Sequence, residues 1–77
     1  MYLIIRTSSI DDKNEIKELL QSNYYTDDSL FNNLLYIYNV KDVTITTDNY
    51  LIWFNTDFQI QLPKISIEYM SIKNEKE

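Results

Sequence analysis

The stretch TTDNYLIWFNTDFQIQLPKISIEYM, residues 46–70, decides how this chain folds. It reads as consecutive strands, with the apolar run Tyr50–Phe54 followed by alternating apolar and polar residues from Phe58 to Tyr69. Three short breaks divide it, yet the chain has no glycine. Asn and Asp are the residues that next best tolerate a positive φ, so the turns fall on them or on proline. Asp48-Asn49 suits a two-residue hairpin loop and sets Thr47 opposite Tyr50, Ile45 opposite Ile52 and Val43 opposite Phe54. Asn55-Thr56-Asp57 suits a three-residue loop with Asp57 in the left-handed region. It sets Phe54 opposite Phe58, Ile52 opposite Ile60 and Tyr50 opposite Leu62. Shortening that loop by one residue would pair Phe54 with Gln59 and scramble the faces. Pro63-Lys64 makes a third turn, type I-like or open because proline holds φ negative. It sets Ile65 against Leu62, Ile67 against Ile60 and Tyr69 against Phe58.

The three turns agree on one partition of side chains. Val43, Ile45, Tyr50, Ile52, Phe54, Phe58, Ile60, Leu62, Ile65, Ile67 and Tyr69 share an apolar face. Thr44, Thr46, Leu51, Trp53, Gln59, Gln61, Ser66, Glu68 and Met70 share a polar one, with Leu51 and Trp53 in its middle. A four-stranded antiparallel meander follows. Its apolar face requires a cover.

The residues before it supply that cover. YLIIR, Tyr2 to Arg6, reads as a strand added to one edge of the sheet. Ser8, Ser9, Asp11 and Asp12 are candidate caps, and Asp12 with Glu15 fits a capping box. A first helix is expected from Asp11 to about Gln21, with Ile16, Leu19 and Leu20 as its apolar stripe and Ile10 packing near Ile16. Thr26 followed by two aspartates reads as a second helix start. At 100° per residue, Leu30, Phe31, Leu34, Leu35, Ile37 and Tyr38 then fall on one arc, with Asp28, Asn32, Asn33, Tyr36 and Asn39 opposite. The expected fold is therefore α+β, a single small domain over residues 1–77. Its two layers are strand-helix-helix followed by a four-stranded antiparallel meander, with the helices on one face of the sheet.

Composition narrows the function. The chain has 77 residues, no cysteine, no histidine and no glycine. That removes thiolate nucleophiles, the commonest general base, the best nitrogen metal ligand and every glycine-rich phosphate loop. DDKNE lacks the glycine and the distant glutamate of a calcium loop. An enzyme is not expected, and neither is a cofactor or a resident metal. The longest apolar runs are too short to span a membrane, and the first residues lack the pattern of a signal peptide. A cytoplasmic protein is expected.

Twelve acidic residues against seven basic ones give a net charge of −5. That opposes direct nucleic-acid binding and favours a basic protein partner. Two surfaces are candidates. On the first helix Asp11, Glu15, Glu18 and Ser22 align within about 60° of arc, and Asp27 and Asp28 lie just beyond. This ridge could occupy a basic groove as a nucleic-acid mimic. The polar sheet face, with Leu51, Trp53, Gln59, Gln61 and Glu68, is the other, because tryptophan and tyrosine dominate interface hot spots. Tyr36, Tyr24 and Tyr25 are further aromatic candidates.

The abundant Ile, Asn, Lys, Tyr and Phe all use A/T-rich codons, as expected of an AT-rich genome or a mobile element within one. The expected function is a small acidic protein-binding module that blocks or modulates a larger, basic, nucleic-acid-handling protein. Phage-encoded inhibitors of bacterial defence nucleases, anti-CRISPR proteins among them, are a class of matching size, charge and composition. An antitoxin or accessory subunit of a stable complex or homodimer is one alternative. A single-stranded nucleic-acid binder that stacks bases on tyrosine is another.

Overall fold

In the computed structural model, which describes residues 1–20, 22–27 and 33–74, the chain is mostly β. Strand β1 (Tyr2–Thr7) leads into helix α1 (Ile10–Leu19), a 3-10 turn over Ser22–Tyr24, and strands β2 (Tyr25–Asp27) and β3 (Leu34–Ile37). Then come β4 (Asp42–Ile45), β5 (Asn49–Trp53), β6 (Gln59–Pro63), a 3-10 turn over Lys64–Ser66, and β7 (Ile67–Lys73). Two antiparallel sheets result. The first has the order β2-β3-β1-β7, and the second has the order β4-β5-β6.

This corrects the expected strand-helix-helix plus four-stranded meander in two places. The segment read as a second helix contributes β2 and β3 instead. Leu34 to Tyr38 alternates in burial, Leu35 and Ile37 fully buried and Leu34, Tyr36 and Tyr38 half-buried. A short apolar run fits both periods, and the aromatic and β-branched content favours the strand. Leu30, Phe31 and Asn32, which completed the helical pattern, lie outside the described residues.

The second correction is the fate of the last strand. The 3-10 turn over Lys64–Ser66 carries the chain away from β6, and β7 pairs with β1. The register is Leu3 with Ile72, Ile4 with Ser71, Ile5 with Met70 and Arg6 with Tyr69, and a bulge then brings Thr7 opposite Ile67. Leu3, Ile5 and Thr7 of β1 are wholly buried, so β1 is central to a sheet of its own rather than an edge addition. Ile65 and Tyr69, expected in the core, are exposed at 87% and 56%.

The hairpins of the second sheet are closer to expectation. β5 and β6 pair Ile52 with Ile60 and Tyr50 with Leu62, as the three-residue loop requires. That loop is closed by Asn55 Oδ1, which accepts the Asp57 N–H at 2.8 Å. β4 and β5 pair Val43 with Ile52 and Ile45 with Tyr50, two residues from the expected register. The cause is Thr46. Its N–H and hydroxyl both donate to the Asn49 carbonyl, and the hydroxyl oxygen accepts the Asn49 N–H. Thr47-Asp48 therefore becomes the loop. A slip of two keeps every side chain on its face. Among the described residues Asn39 alone has a positive φ, 60°, in the turn from β3 to β4. Asparagine takes the place of the missing glycine there, not Asp57.

Helix α1 starts at Ser9, whose Oγ accepts the Asp12 N–H at 3.1 Å, so the cap is Ser9 and not the expected Asp12–Glu15 pair. Ile16 and Leu20 enter the core, while Leu19 and Ile10 stay about half exposed. The core joins both sheets and the helix: Leu3, Ile5, Leu35 and Ile37 from the first sheet, Ile52, Ile60 and Leu62 from the second, with Ile16 and Phe54. Tyr24, Phe54 and Phe58 close one end, with ring centroids 4.8–5.3 Å apart.

Candidate functional site

The register of the second sheet fixes its outer face. Trp53 lies opposite Asp42 on one side and Gln59 on the other; Leu51 lies between Thr44 and Gln61. Ile52, Ile60 and Leu62 point the other way, into the core. Leu51 and Trp53 are half-buried, and Asp42, Thr44, Gln59 and Gln61 are exposed. The indole N–H of Trp53 donates to Thr44 Oγ1 at 3.3 Å. That bond fixes the ring across the β4–β5 ladder. Lys41 N–H donates to the Trp53 carbonyl at 2.7 Å and ties the approach to β4 against the end of β5.

Trp53 borders two shallow depressions. One, of about 400 Å³, is lined by Lys41, Asp42, Trp53, Asn55 and Thr56. The other, of about 450 Å³, is lined by Leu51, Trp53, Gln59, Ile60 and Gln61. A flat aromatic ring between two dips, ringed by amides, a hydroxyl and a carboxylate, suits an anchor with a polar rim. Among the described residues no group of three or more acidic side chains converges as a metal site.

The other expected residues are distributed elsewhere. Asp11, Glu15 and Glu18 are exposed on α1. Asp27 is on β2 rather than on a second helix, and it is not free for a partner. Its two carboxylate oxygens accept from Lys13 and Lys17, each at 2.7 Å. The lysine bonds, Lys13's first, hold the Asp27 carboxyl below the usual carboxylate range against the opposing effect of burial. The Asp27 bond in turn raises the Lys17 ammonium above its ordinary value. Lys13 is only 6% exposed, so this cluster fastens α1 to the edge of the first sheet. Asp28 lies outside the described residues. Glu68 sits at the bulge of β7, in the first sheet, and does not join the Trp53 face. Tyr36 is on β3, on the face of the first sheet opposite the buried Leu35 and Ile37.

Sequence reasoning overlooked Asp42 and Lys41, whose places beside Trp53 come from the two-residue slip of β4 and the entry into that strand. It also overlooked Tyr2, Ile4 and Leu34, which share the outer face of the first sheet with Tyr36 and Tyr69. For Tyr2 and Ile4 the signal available was the strand read over Tyr2–Arg6, whose period of two turns every second side chain outward. No helix of the described residues is long and apolar enough to cross a membrane. No family model matches the chain, and no curated protein or solved structure compared with it does either.

Proposed function

We propose that this protein is a binding module that docks on a larger, basic protein through the outer face of β4, β5 and β6, with Trp53 as the anchor. The observation that carries the reading is the position of Trp53. It stands at the middle strand of a three-stranded sheet whose core-facing side is already filled, so its ring serves no core. Large aromatics at such positions supply binding area at little rotamer entropy.

The net charge of −5 favours a basic partner, and the exposed Asp11, Glu15 and Glu18 add attraction at a distance. Proteins that handle nucleic acid carry basic channels, so a nuclease or related enzyme in the cytoplasm is the partner class that fits. Blocking or modulating that partner is the resulting activity. The withdrawal of Asp27 into a lysine clamp shortens the acidic ridge, which favours the Trp53 face over phosphate mimicry as the main contact.

The test is differential capture. Wild type, Trp53→Ala and the Glu15→Lys/Glu18→Lys double variant are immobilised and exposed to lysate of a low-GC bacterium, and bound proteins are identified by mass spectrometry. A basic protein held by wild type, lost with Trp53→Ala and retained more weakly by the double variant supports the reading. Binders that ignore Trp53→Ala sink it. Loss with the double variant alone would favour the mimic. Salt-sensitive binding of a single-stranded DNA oligonucleotide would favour base stacking instead.

A further inference from the structure

We propose that β7 is the seam of a homodimer, in which two copies pair antiparallel about Ser71 and join their four-stranded sheets into one. The proposal does not rest on the Trp53 face, which belongs to the other sheet.

The four sheet edges are not alike. β2 has three residues and β4 has four, with Asp42 at its start. β6 has five and ends on Pro63, which has no N–H to offer. β7 has seven residues and no proline. Short strands, prolines and charges are the usual protection of an edge against pairing. β7 lacks them along Tyr69–Ile72. On one side it pairs with β1; among the described residues, the Lys64 carbonyl takes the Ile67 N–H, and no hydrogen bond engages the backbone of Tyr69–Lys73 from the other side.

The occupant follows from self-complementarity. The regular part of β7 runs from Tyr69 to Lys73, because Glu68 is the extra residue of the bulge opposite Arg6 and Thr7. Residues directly opposite in an antiparallel pair share a face. A two-fold axis at Ser71 therefore uses the whole regular stretch. It sets Met70 against Ile72 on the inner face and Tyr69 against Lys73 on the outer face. Moving the axis to Met70 or Tyr69 would place the charge of Glu68 opposite Ile72 or Met70 and run the ladder through the bulge. Ile72 is 49% exposed and lines a depression of about 330 Å³ with Met1, Lys73 and Asn74. The partner's Met70, opposite it, extends the apolar layer over that depression.

Charge agrees with this seam. The acidic helix is clamped to β2, at the far edge of the same sheet. Three strand spacings of about 4.8 Å separate β2 from β7, roughly 14 Å in all. The lysine–aspartate clamp that holds the helix therefore stays clear of the seam.

The experiment combines sedimentation equilibrium with single-cysteine cross-linking, which is clean in a chain without cysteine. Wild type should form a dimer. Ser71→Cys should oxidise to a disulfide-linked dimer, because directly opposed Cα atoms stand about 4.5–5.5 Å apart. Met70→Cys, about two residues out of register with its own copy, should not. Tyr69→Lys, which opposes like charges twice across the seam, should raise the dimer dissociation constant about tenfold. Tyr69→Glu, which faces Lys73, should stay within about threefold of wild type. Circular dichroism checks that each variant folds. A wild-type monomer at all concentrations up to about 1 mM overturns the proposal. So does a dimer in which Met70→Cys cross-links and Ser71→Cys does not, or in which neither does.

Discussion

The two sheets are assembled in different ways. The second is made of neighbours: β4, β5 and β6 follow one another between Asp42 and Pro63, each paired with the next. The first is made of distant pieces: Leu3 pairs with Ile37 on one side and Ile72 on the other. Local hairpins close small loops, whereas joining the two chain ends closes nearly the whole chain. The first sheet also supplies Leu3, Ile5, Leu35 and Ile37, all with no exposed surface. The second supplies the open face around Trp53. The long-range sheet therefore supplies most of the wholly buried core, and the local sheet carries the face proposed to meet a partner.

Breaking the core of either sheet should have the largest effect. Leu35→Ala in the first and Ile52→Ala in the second should each destabilise by about 2–5 kcal/mol in urea unfolding. For a chain this size that is much of the total stability. Neither residue is exposed at all, so a loss below about 1 kcal/mol at either site would contradict its placement.

The clamp between α1 and β2 comes next. Asp27→Asn should destabilise by about 1–3 kcal/mol, because it leaves the nearly buried Lys13 without its carboxylate. The pH dependence has a definite sign. Asp27 is depressed in the folded protein, chiefly by the Lys13 bond and then by Lys17. Its contribution is present above the unfolded carboxylate value, about 4, and fades as pH falls through the lower folded value. Lys17 is raised, chiefly by its bond to Asp27. Its contribution is present below the ordinary lysine range and fades as pH climbs through the raised value. Urea midpoints from pH 2 to 5 should therefore fall less steeply for Asp27→Asn than for wild type.

Gentler truncations sharpen the contrast in assembly. Ile5→Val and Ile52→Val should each cost about 0.5–1.5 kcal/mol. Their kinetics should differ: Ile52→Val mainly slows folding and Ile5→Val mainly speeds unfolding, if the local sheet forms first. Stopped-flow chevrons decide it, and the reverse pattern would place the chain ends in the nucleus.

Trp53→Ala should have the smallest effect on stability, under about 1 kcal/mol, measured by thermal melting beside the capture experiment. A loss of about 3–5 kcal/mol would make Trp53 a core residue.

These contrasts also show where the sequence was readable. The β5–β6 register was legible because one loop length alone kept Phe54, Ile52 and Tyr50 on a single face. The β4–β5 slip was not, because Thr46 acts through a hydroxyl bond that alternation does not record, but the slip of two left Trp53 on the same face. Leu34–Ile37 reads as helix because four apolar residues in a row fit a helix as well as a strand. The departure of β7 from β6 was invisible because Ile65, Ile67 and Tyr69 continue the meander's alternation without a break. What decides against it is the demand of β1 for two partners, a constraint that acts across the whole chain. Trp53, Leu51, Gln59 and Gln61 were thus placed together from local pattern, while Glu68 and Asp27 were misplaced by long-range topology.

Both proposed surfaces depend on the chain leaving the second sheet at Lys64. If β7 stayed beside β6, the Trp53 face would have a fourth strand and β1 would keep only β3 as a partner. Cross-strand backbone NOEs in a uniformly labelled sample test this directly. In this topology contacts link Leu3, Ile4 and Ile5 to Ile72, Ser71 and Met70, and Ile60 and Leu62 are joined only to the β5 side. Contacts joining Ile60 to Ile67 and Leu62 to Ile65, with none between β1 and β7, would contradict it.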